Sequence, residues 1–274
     1  MRREITGFSN PLLKEVRGLR EKKLRKRAGQ FLAEGLRIMT EARDAGFLPE
    51  MLFRVGAREP HALEVALEAE VLASGGDVIE TSADIMAKLS GKDNAQAIVG
   101  VYRDHGTPLA DVDRTSAPIW LVAQAMRDPG NLGTMLRTGD AVGAGGLILI
   151  GDCTDPFSVE AVRASMGAIF TQKIVQCRWT EFVPWLRSGD GQLVGTSLQT
   201  ETDYRSSAYC APCFILTGNE AQGLPSVYET ECDALVKMPM YGKADSLNAA
   251  IATAVMAYEV RGQMESTHGS NAKS

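Results

Sequence analysis

The chain has 274 residues, 45% of them hydrophobic and 23% charged, enough for one sizeable domain or two modest ones, each with its own core. It holds no run of about 18 apolar residues. Its start, "MRREITGFSNPLLKEV", carries charges without the apolar stretch and small-residue cleavage site of an export signal, so membrane and secreted classes are excluded and a cytoplasmic location is expected. The formal net charge of −5 hides an asymmetry: residues 1–43 hold twelve Lys or Arg against five Glu, a balance of +7 that leaves −12 for the remainder.

From Ser9, "SNPLLKEVRGLREKKLRKRAGQ" predicts one helix capped by Ser9 or Asn10, with Pro11 in its first turn and an end near Gly29. Its exposed face would carry Arg20, Lys22, Lys23, Arg25, Lys26 and Arg27, and a basic end on an acidic body suits contact with a polyanion. Then follow "FLAEG", a helix near "LRIMTEARDAG", the strand "MLFRV", a helix "HALEVALEAEVLA", "DVIET", a short helix "ADIMAKLS" and "AIVGVY". That alternation predicts a small α/β unit over residues 1–105. Residues 106–118 are polar, contain two prolines and lack periodicity, so they are expected to be a linker.

Beyond it the apolar runs "IWLVA", "GLILI", "KIV", "LVGTS", "CFILTG" and "ALVKMPM" alternate with helical patterns at 132–142, 158–166, 180–187 and 247–261. Over residues 119–263 this predicts a mostly parallel sheet with helices on both faces. In the last helix Ser246 is the expected cap, and Leu247, Ile251, Val255 and Tyr258 fall on one apolar stripe. Residues 264–274 are polar and are expected to form a flexible tail.

Familiar chemistry is mostly excluded. The cysteines Cys153, Cys177, Cys210, Cys213 and Cys232 are odd in number and scattered, against a disulfide framework. "CAPC" has zinc spacing but no second pair and no nearby histidine, and His61, His105 and His268 are far apart, so neither a metal site nor a Ser/His/Asp triad is expected. In "GDAVGAGGLILIG" the glycines close a helix and precede a strand, the reverse of a dinucleotide-binding motif. "GNEAQGLP" has Leu224 and Pro225 where a phosphate loop needs Lys and Ser or Thr. Three loops stand out instead, each after an apolar strand, where open α/β sheets place ligands. They hold Asn131 and Arg137, Asn219 and Glu220, and Ser246 and Asn248.

"NLGTMLRTGDAVGAGGLIL", "LTGNEAQGL" and "KMPMYGKADSLNAAIATAVMAYE" resemble, in order, the three signature motifs of the SpoU, or TrmH, RNA methyltransferases of the SPOUT superfamily. The N-terminal "SNPLLKEVRGLREKKLRKRAGQFLAEG" resembles an RNA-binding extension found in one branch. The resemblance implies a SPOUT domain with a deep trefoil knot preceded by a small α/β RNA-binding domain, a homodimer with its active site near the subunit interface, S-adenosylmethionine as methyl donor, and an RNA ribose 2′-hydroxyl as acceptor. Ribosomal RNA is favoured over transfer RNA because the extension resembles that branch. No metal is required.

On matching positions the resemblance makes Arg137 the central catalytic residue, with Asn131, Glu220, Ser246 and Asn248 around it. Gly218, Met238 and Leu247 would offer backbone contacts to the cofactor, with Thr196 a further candidate. A guanidinium is normally protonated, so a role in gripping phosphate and stabilising a developing alkoxide is less demanding than one as general base. Ser246 or water would then relay the proton. The alternatives are a transfer RNA ribose methyltransferase, a base-nitrogen methyltransferase, and a non-catalytic RNA-binding protein of the same fold. Phe8 and Phe31 are the aromatic residues near the basic run that could stack on bases, and both are expected to be core.

Overall fold

The structure, a computed structural model, describes residues 1–91 and 96–271, with side chains described to residue 266. The chain forms two compact units: residues 1–105 together with 155–171, and residues 106–154 together with those from Gln172 onward. The break after His105 falls where the expected linker begins. Residues 155–171, expected within the domain at 119–263, instead pack with the first unit.

In the first unit, β1 (Arg2–Ile5), α1 (Pro11–Gly18), α2 (Lys22–Ala28), β2 (Gln30–Glu34), α3 (Leu36–Asp44), β3 (Met51–Val55), α4 (Ala62–Ala73), β4 (Asp77–Thr81), α5 (Ala83–Ser90) and β5 (Ile98–Arg103) build a mixed sheet in the order β1-β4-β3-β5-β2. β1 has no counterpart among the expected elements. "RREI" buries only Ile5 and pairs with β4 at the sheet edge, too little apolar pattern to announce a strand. Leu13, Val16 and Leu19 pack with Phe53, Ile79 and Leu89 in the core, each fully buried side chain of this kind stabilising the fold by roughly 1.5–3 kcal/mol.

The single helix expected over 9–29 is two helices, and Arg25 accounts for the break. Its Nη1 donates to the carbonyls of Leu19 at 2.8 Å and Arg20 at 2.7 Å, while Nε and Nη2 donate to Asp155 Oδ2 at 3.0 and 2.7 Å. The guanidinium thus satisfies carbonyls that α1 would have bonded had it continued. Arg25, expected to contact RNA, is therefore an internal strut, 5% exposed. Arg20 is half-buried, donating to the Ser90 carbonyl and pairing with Glu34. Lys22, Lys23, Lys26 and Arg27 are exposed. Phe31 is buried against Tyr102, Phe157 and Phe170, whereas Phe8 is exposed.

The second unit contains β6 (Ile119–Gln124), α6 (Pro129–Ala141) and β7 (Gly146–Ile150). The next helix, α7 (Val159–Ser165), lies in the segment assigned to the first unit. The second unit resumes with β8 (Lys173–Cys177), α8 (Trp179–Arg187), β9 (Gln192–Thr196), β10 (Cys213–Thr217), α9 (Ser226–Glu229), β11 (Ala234–Val236) and α10 (Ala249–Asn271). Its six strands are all parallel, in the order β11-β9-β10-β6-β7-β8. Gly143, at φ 67° in the left-handed region, ends the turn between α6 and β7, as the glycine pattern requires. Residues 106–118 carry two short 3-10 turns, Leu109–Asp111 and Arg114–Ser116.

α10 departs from expectation at both ends and around its girth. Asn248, not Ser246, caps it, its Oδ1 accepting from the backbone N–H of Ala250 and Ile251 at 2.9 and 3.2 Å. The expected tail is helical as far as Asn271; residues 272–274, and the side chain of His268, lie outside the described residues. Most of the expected stripe lies outside, with Ile251 47% and Tyr258 58% exposed and Val255 half-buried, because Ala250, Thr253, Met256, Ala257 and Val260 form a second face that is buried. Among the described residues no helix is long and apolar enough to cross a membrane.

Removing one member of the buried Arg25–Asp155 pair strands the other. Arg25→Ala should lower unfolding free energy by about 3–5 kcal/mol, read as a shift in the urea midpoint. The neighbouring exposed Lys26→Ala should stay within about 0.5 kcal/mol of the unaltered protein. Equal effects would refute the structural assignment of Arg25.

Candidate active site

Because β9, β10, β6 and β11 are parallel and in register, their C-terminal ends lie at one edge of the sheet, and the loops that follow them emerge together. Three of those loops are joined by one chain of side-chain hydrogen bonds. Asn248 Nδ2, at the start of α10, donates to Asn131 Oδ1 at 2.8 Å, and Asn131 Nδ2, in the first turn of α6, donates to Glu220 Oε1 at 3.0 Å. Glu220 also accepts from the backbone N–H of Asp128 at 3.3 Å and of Arg127 at 3.4 Å. Burial acts to raise the Glu220 carboxyl, but the hydrogen bonds from Asn131, from its own backbone, and from Asp128 and Arg127 outweigh it and hold the group below its ordinary 4.5.

The loop carrying Glu220 is shaped by two further contacts. Asn219 Nδ2 donates to the carbonyl of Ala125 at 2.8 Å, fixing a residue at φ 48°, a conformation uncommon for anything but glycine. The loop then doubles back so closely that a Cβ on Gly218 would lie 2.3 Å from the Gly223 carbonyl oxygen. Only glycine fits there. α10 is anchored to the end of β10 by the buried Thr217 and Thr253 hydroxyls, 2.8 Å apart.

Between these loops lies a cavity of ≈ 280 Å³. Thr196, Gly218, Met238 and Leu247, the four expected cofactor residues, all line it, as do Glu220 and Ser246. Ser246 is exposed and its hydroxyl has no hydrogen bond among the described residues. Asn131 and Asn248 stand behind the wall, reaching the cavity through Glu220. Arg137 is not among the lining residues; it is exposed on α6 and makes no ion pair among the described residues.

Met240, Lys237 and Glu229 also line the cavity without having been singled out from the sequence. Glu229 accepts from the Ser197 hydroxyl. Nothing in the local pattern of "SVYE" marks Glu229, because it arrives from the short α9 rather than from a motif loop. The methionines and Leu247 offer apolar surface, Gly218 exposes backbone, and Thr196, Lys237 and Glu229 supply polar and charged groups. Such a lining suits a small ligand with an apolar or aromatic body and a polar end. Cys210 is exposed and Cys213 buried, its thiol pushed up to about 12 by burial. Among the described residues no group of three or more His, Cys, Asp or Glu side chains is arranged to hold a metal.

Residues 118–258 match the family model of the SpoU rRNA Methylase family, and residues 10–100 match that of an MRM3-like substrate binding domain. The chain is 29% identical over 261 residues to a 23S rRNA (guanosine(2553)-2′-O)-methyltransferase of Bacillus subtilis, covering 95% of this chain and 100% of the relative. It is 32% identical over 245 residues to a 23S rRNA (uridine(2479)-2′-O)-methyltransferase of Streptomyces viridochromogenes, with coverage of 86% and 83%. Among solved structures, an AdoMet-bound rRNA methyltransferase from Sinorhizobium meliloti matches with a TM-score of 0.88 at 38% identity, over 95% of this chain and 98% of the other. The SpoU methyltransferase AviRb of Streptomyces viridochromogenes in complex with AdoMet matches with a TM-score of 0.83 at 29% identity, over 94% and 99%.

Since Glu220 has a folded value below its unfolded one, its hydrogen bonds stabilise the protein fully above pH 4.5, and that contribution is lost as pH falls through the lower folded value. Glu220→Gln should therefore flatten the acid limb of stability below pH 4.5 in urea titrations. An unchanged limb would place the acid sensitivity elsewhere. Gly218→Ala should cost about 1–3 kcal/mol through forced loop movement, read in the same titrations.

Proposed function

The chain belongs to the SpoU rRNA methylase family, and from that premise we propose that it transfers a methyl group from S-adenosylmethionine to a ribose 2′-hydroxyl of ribosomal RNA. The observation that carries this reading is the Asn248–Asn131–Glu220 chain, because it locks three motif loops beside a cavity of suitable lining. Ribosomal RNA is favoured because both curated relatives described above are named for 23S rRNA. A cytoplasmic location is part of the same proposal.

The residues present fit the cofactor. The apolar side chains of Met238, Met240 and Leu247 suit the faces of an adenine, and the close approach permitted at Gly218 suits backbone hydrogen bonding to it. When bound, S-adenosylmethionine supplies an electrophilic methyl group on a sulfonium centre. The protein's contribution is then alignment of the ribose oxygen, an effect that can contribute roughly 7–11 kcal/mol.

Within this proposal Asn131, Glu220 and Asn248 are positioning residues, since their side-chain groups bond one another and the neighbouring backbone. Arg137 is the catalytic cation, gripping the nucleotide phosphate and stabilising the developing alkoxide through planar, charge-assisted hydrogen bonds. Ser246, with its hydroxyl available at the cavity, relays the ribose proton to water. Because Arg137 does not line its own chain's cavity, we assign the active form to a homodimer in which one copy's Arg137 completes the site of the other. The exposed apolar stripe of Leu247, Ile251 and Tyr258 supports such pairing. A trefoil knot belongs to the same proposal, as the family resemblance implies.

Two measurements test these assignments. Labelled methyl groups supplied as S-adenosylmethionine, with unmodified ribosomal and transfer RNA pools offered separately, should appear as 2′-O-methylnucleosides in ribosomal RNA. Arg137→Ala should lower kcat by about 100-fold or more. Arg137→Lys should recover little of it, because an ammonium cannot make the bidentate contact. Label confined to transfer RNA would overturn the substrate assignment, and no label with cofactor demonstrably bound would overturn the activity. Separately, Ile251→Asp should turn a dimer into monomers in sedimentation velocity; a protein already monomeric before substitution would sink the paired site.

A further inference from the structure

The cations available for RNA differ from those that the basic run suggests. Many arginines of residues 1–105 are held by carboxylates: Arg25 by Asp155, Arg54 by Glu68 and Glu80, Arg58 by Glu64. Lys14, Arg17 and Lys88 are exposed and form no ion pair among the described residues. These three cations come from two helices that pack together, α1 and α5, and they line one shallow cavity of ≈ 130 Å³ between them. Glu15 and Asp84, on the same helices, do not line it. Its floor includes the buried Leu13 and Leu89.

Phe8 lies at the mouth of that groove and is 50% exposed. Lys88 Nζ sits 3.8 Å from its ring centroid. An aromatic ring kept half in solvent, with Lys88 over one face and two further cations without ion pairs lining the same leucine-floored groove, has the two components that unpaired nucleic acid requires: an aromatic surface on which a base can stack, and positive charge for the phosphates on either side. A regular RNA helix keeps its bases stacked inside and would engage only the charges.

We propose that the groove between α1 and α5 binds an unpaired RNA base, stacked on Phe8, with Lys14, Arg17 and Lys88 holding the adjacent phosphates. The proposal rests on the reading of the protein as an RNA methyltransferase and names where its substrate is gripped away from the reacting ribose. Arg25 takes no part, and the exposed lysines of α2 are not required.

The test is fluorescence-anisotropy binding of a labelled, mixed-sequence unpaired RNA of about 12 nucleotides, with the same strand in a duplex as comparison. Phe8→Leu keeps an apolar side chain while removing the ring. It should weaken unpaired RNA binding about 10-fold and leave S-adenosylmethionine affinity and the urea midpoint unchanged. Lys88→Gln and Arg17→Gln should each weaken binding and reduce the salt slope by about 1. If Phe8→Leu shifts the urea midpoint, Lys14→Glu and Arg17→Glu, at exposed positions, provide the deciding comparison.

Unchanged affinity in the charge variants together with Phe8→Leu would overturn the proposal, as would equal binding of duplex. Displacement of the RNA by polyglutamate as readily as by unlabelled RNA would do so too, by making an acidic polypeptide an equal occupant. Absence of methyl transfer with these binding effects intact would instead overturn the catalytic reading and leave the groove standing.

Discussion

Asn131 is the hinge on which the loop edge around the cavity depends. A primary amide is among the few side chains that both accept and donate, and here its oxygen takes a hydrogen bond from Asn248 while its nitrogen gives one to Glu220. Those bonds tie the start of α10 to the start of α6 and α6 to the loop after β10. An aspartate at the same place could not donate to Glu220 in its ionised form, and a leucine would leave the Asn248 amide without its acceptor and Glu220 with only its backbone donors. The cavity is consequently a product of three segments far apart in the chain, brought to one edge by a parallel sheet and joined there through Asn131, with Asn219 and the Thr217–Thr253 pair as further ties.

The same economy governs α10. One face, containing Thr253, Met256 and Val260, packs inward, and the Thr253 hydroxyl fixes the helix against the end of β10. Its N-terminus is held by Asn248, whose oxygen caps the first turn while its nitrogen reaches Asn131. A second apolar face remains outside at Ile251 and Tyr258. Cavity lining, helix capping and the surface assigned to pairing thus begin within a few residues of one another, so movement at that junction would affect all three.

In the first unit, positive charge has two different fates. Arg25 and Arg54 are drawn into buried carboxylate networks, where a planar guanidinium can serve several acceptors at once. The lysines at 14, 22, 23, 26 and 88 stay exposed. The pairing of Arg25 with Asp155 shows why a count of +7 over residues 1–43 overstates the charge presented to a ligand. It also explains why the balance of −12 over the remainder is not by itself an obstacle to RNA binding. What matters is which charges are neutralised internally.

Much of this was legible in the amino-acid order. Apolar runs such as "IWLVA" and "CFILTG" marked strands because their apolar pattern is continuous, and glycine-rich polar loops after them marked the edge that holds the cavity. The residues Thr196, Gly218, Met238 and Leu247, drawn from separate loops, do line one cavity. The edge strand β1, with one buried residue, and the contribution of Glu229 left no comparable local signal. Tertiary structure alone decided that Arg25 breaks a helix and bonds Asp155, 130 residues away, and that the stripe through Ile251 and Tyr258 faces outward. Periodicity identifies which side chains share a face, but a helix with two apolar faces does not say which one meets the core. A charged residue likewise declares its sign in the sequence, while its burial and its partner are set by segments that only folding brings together.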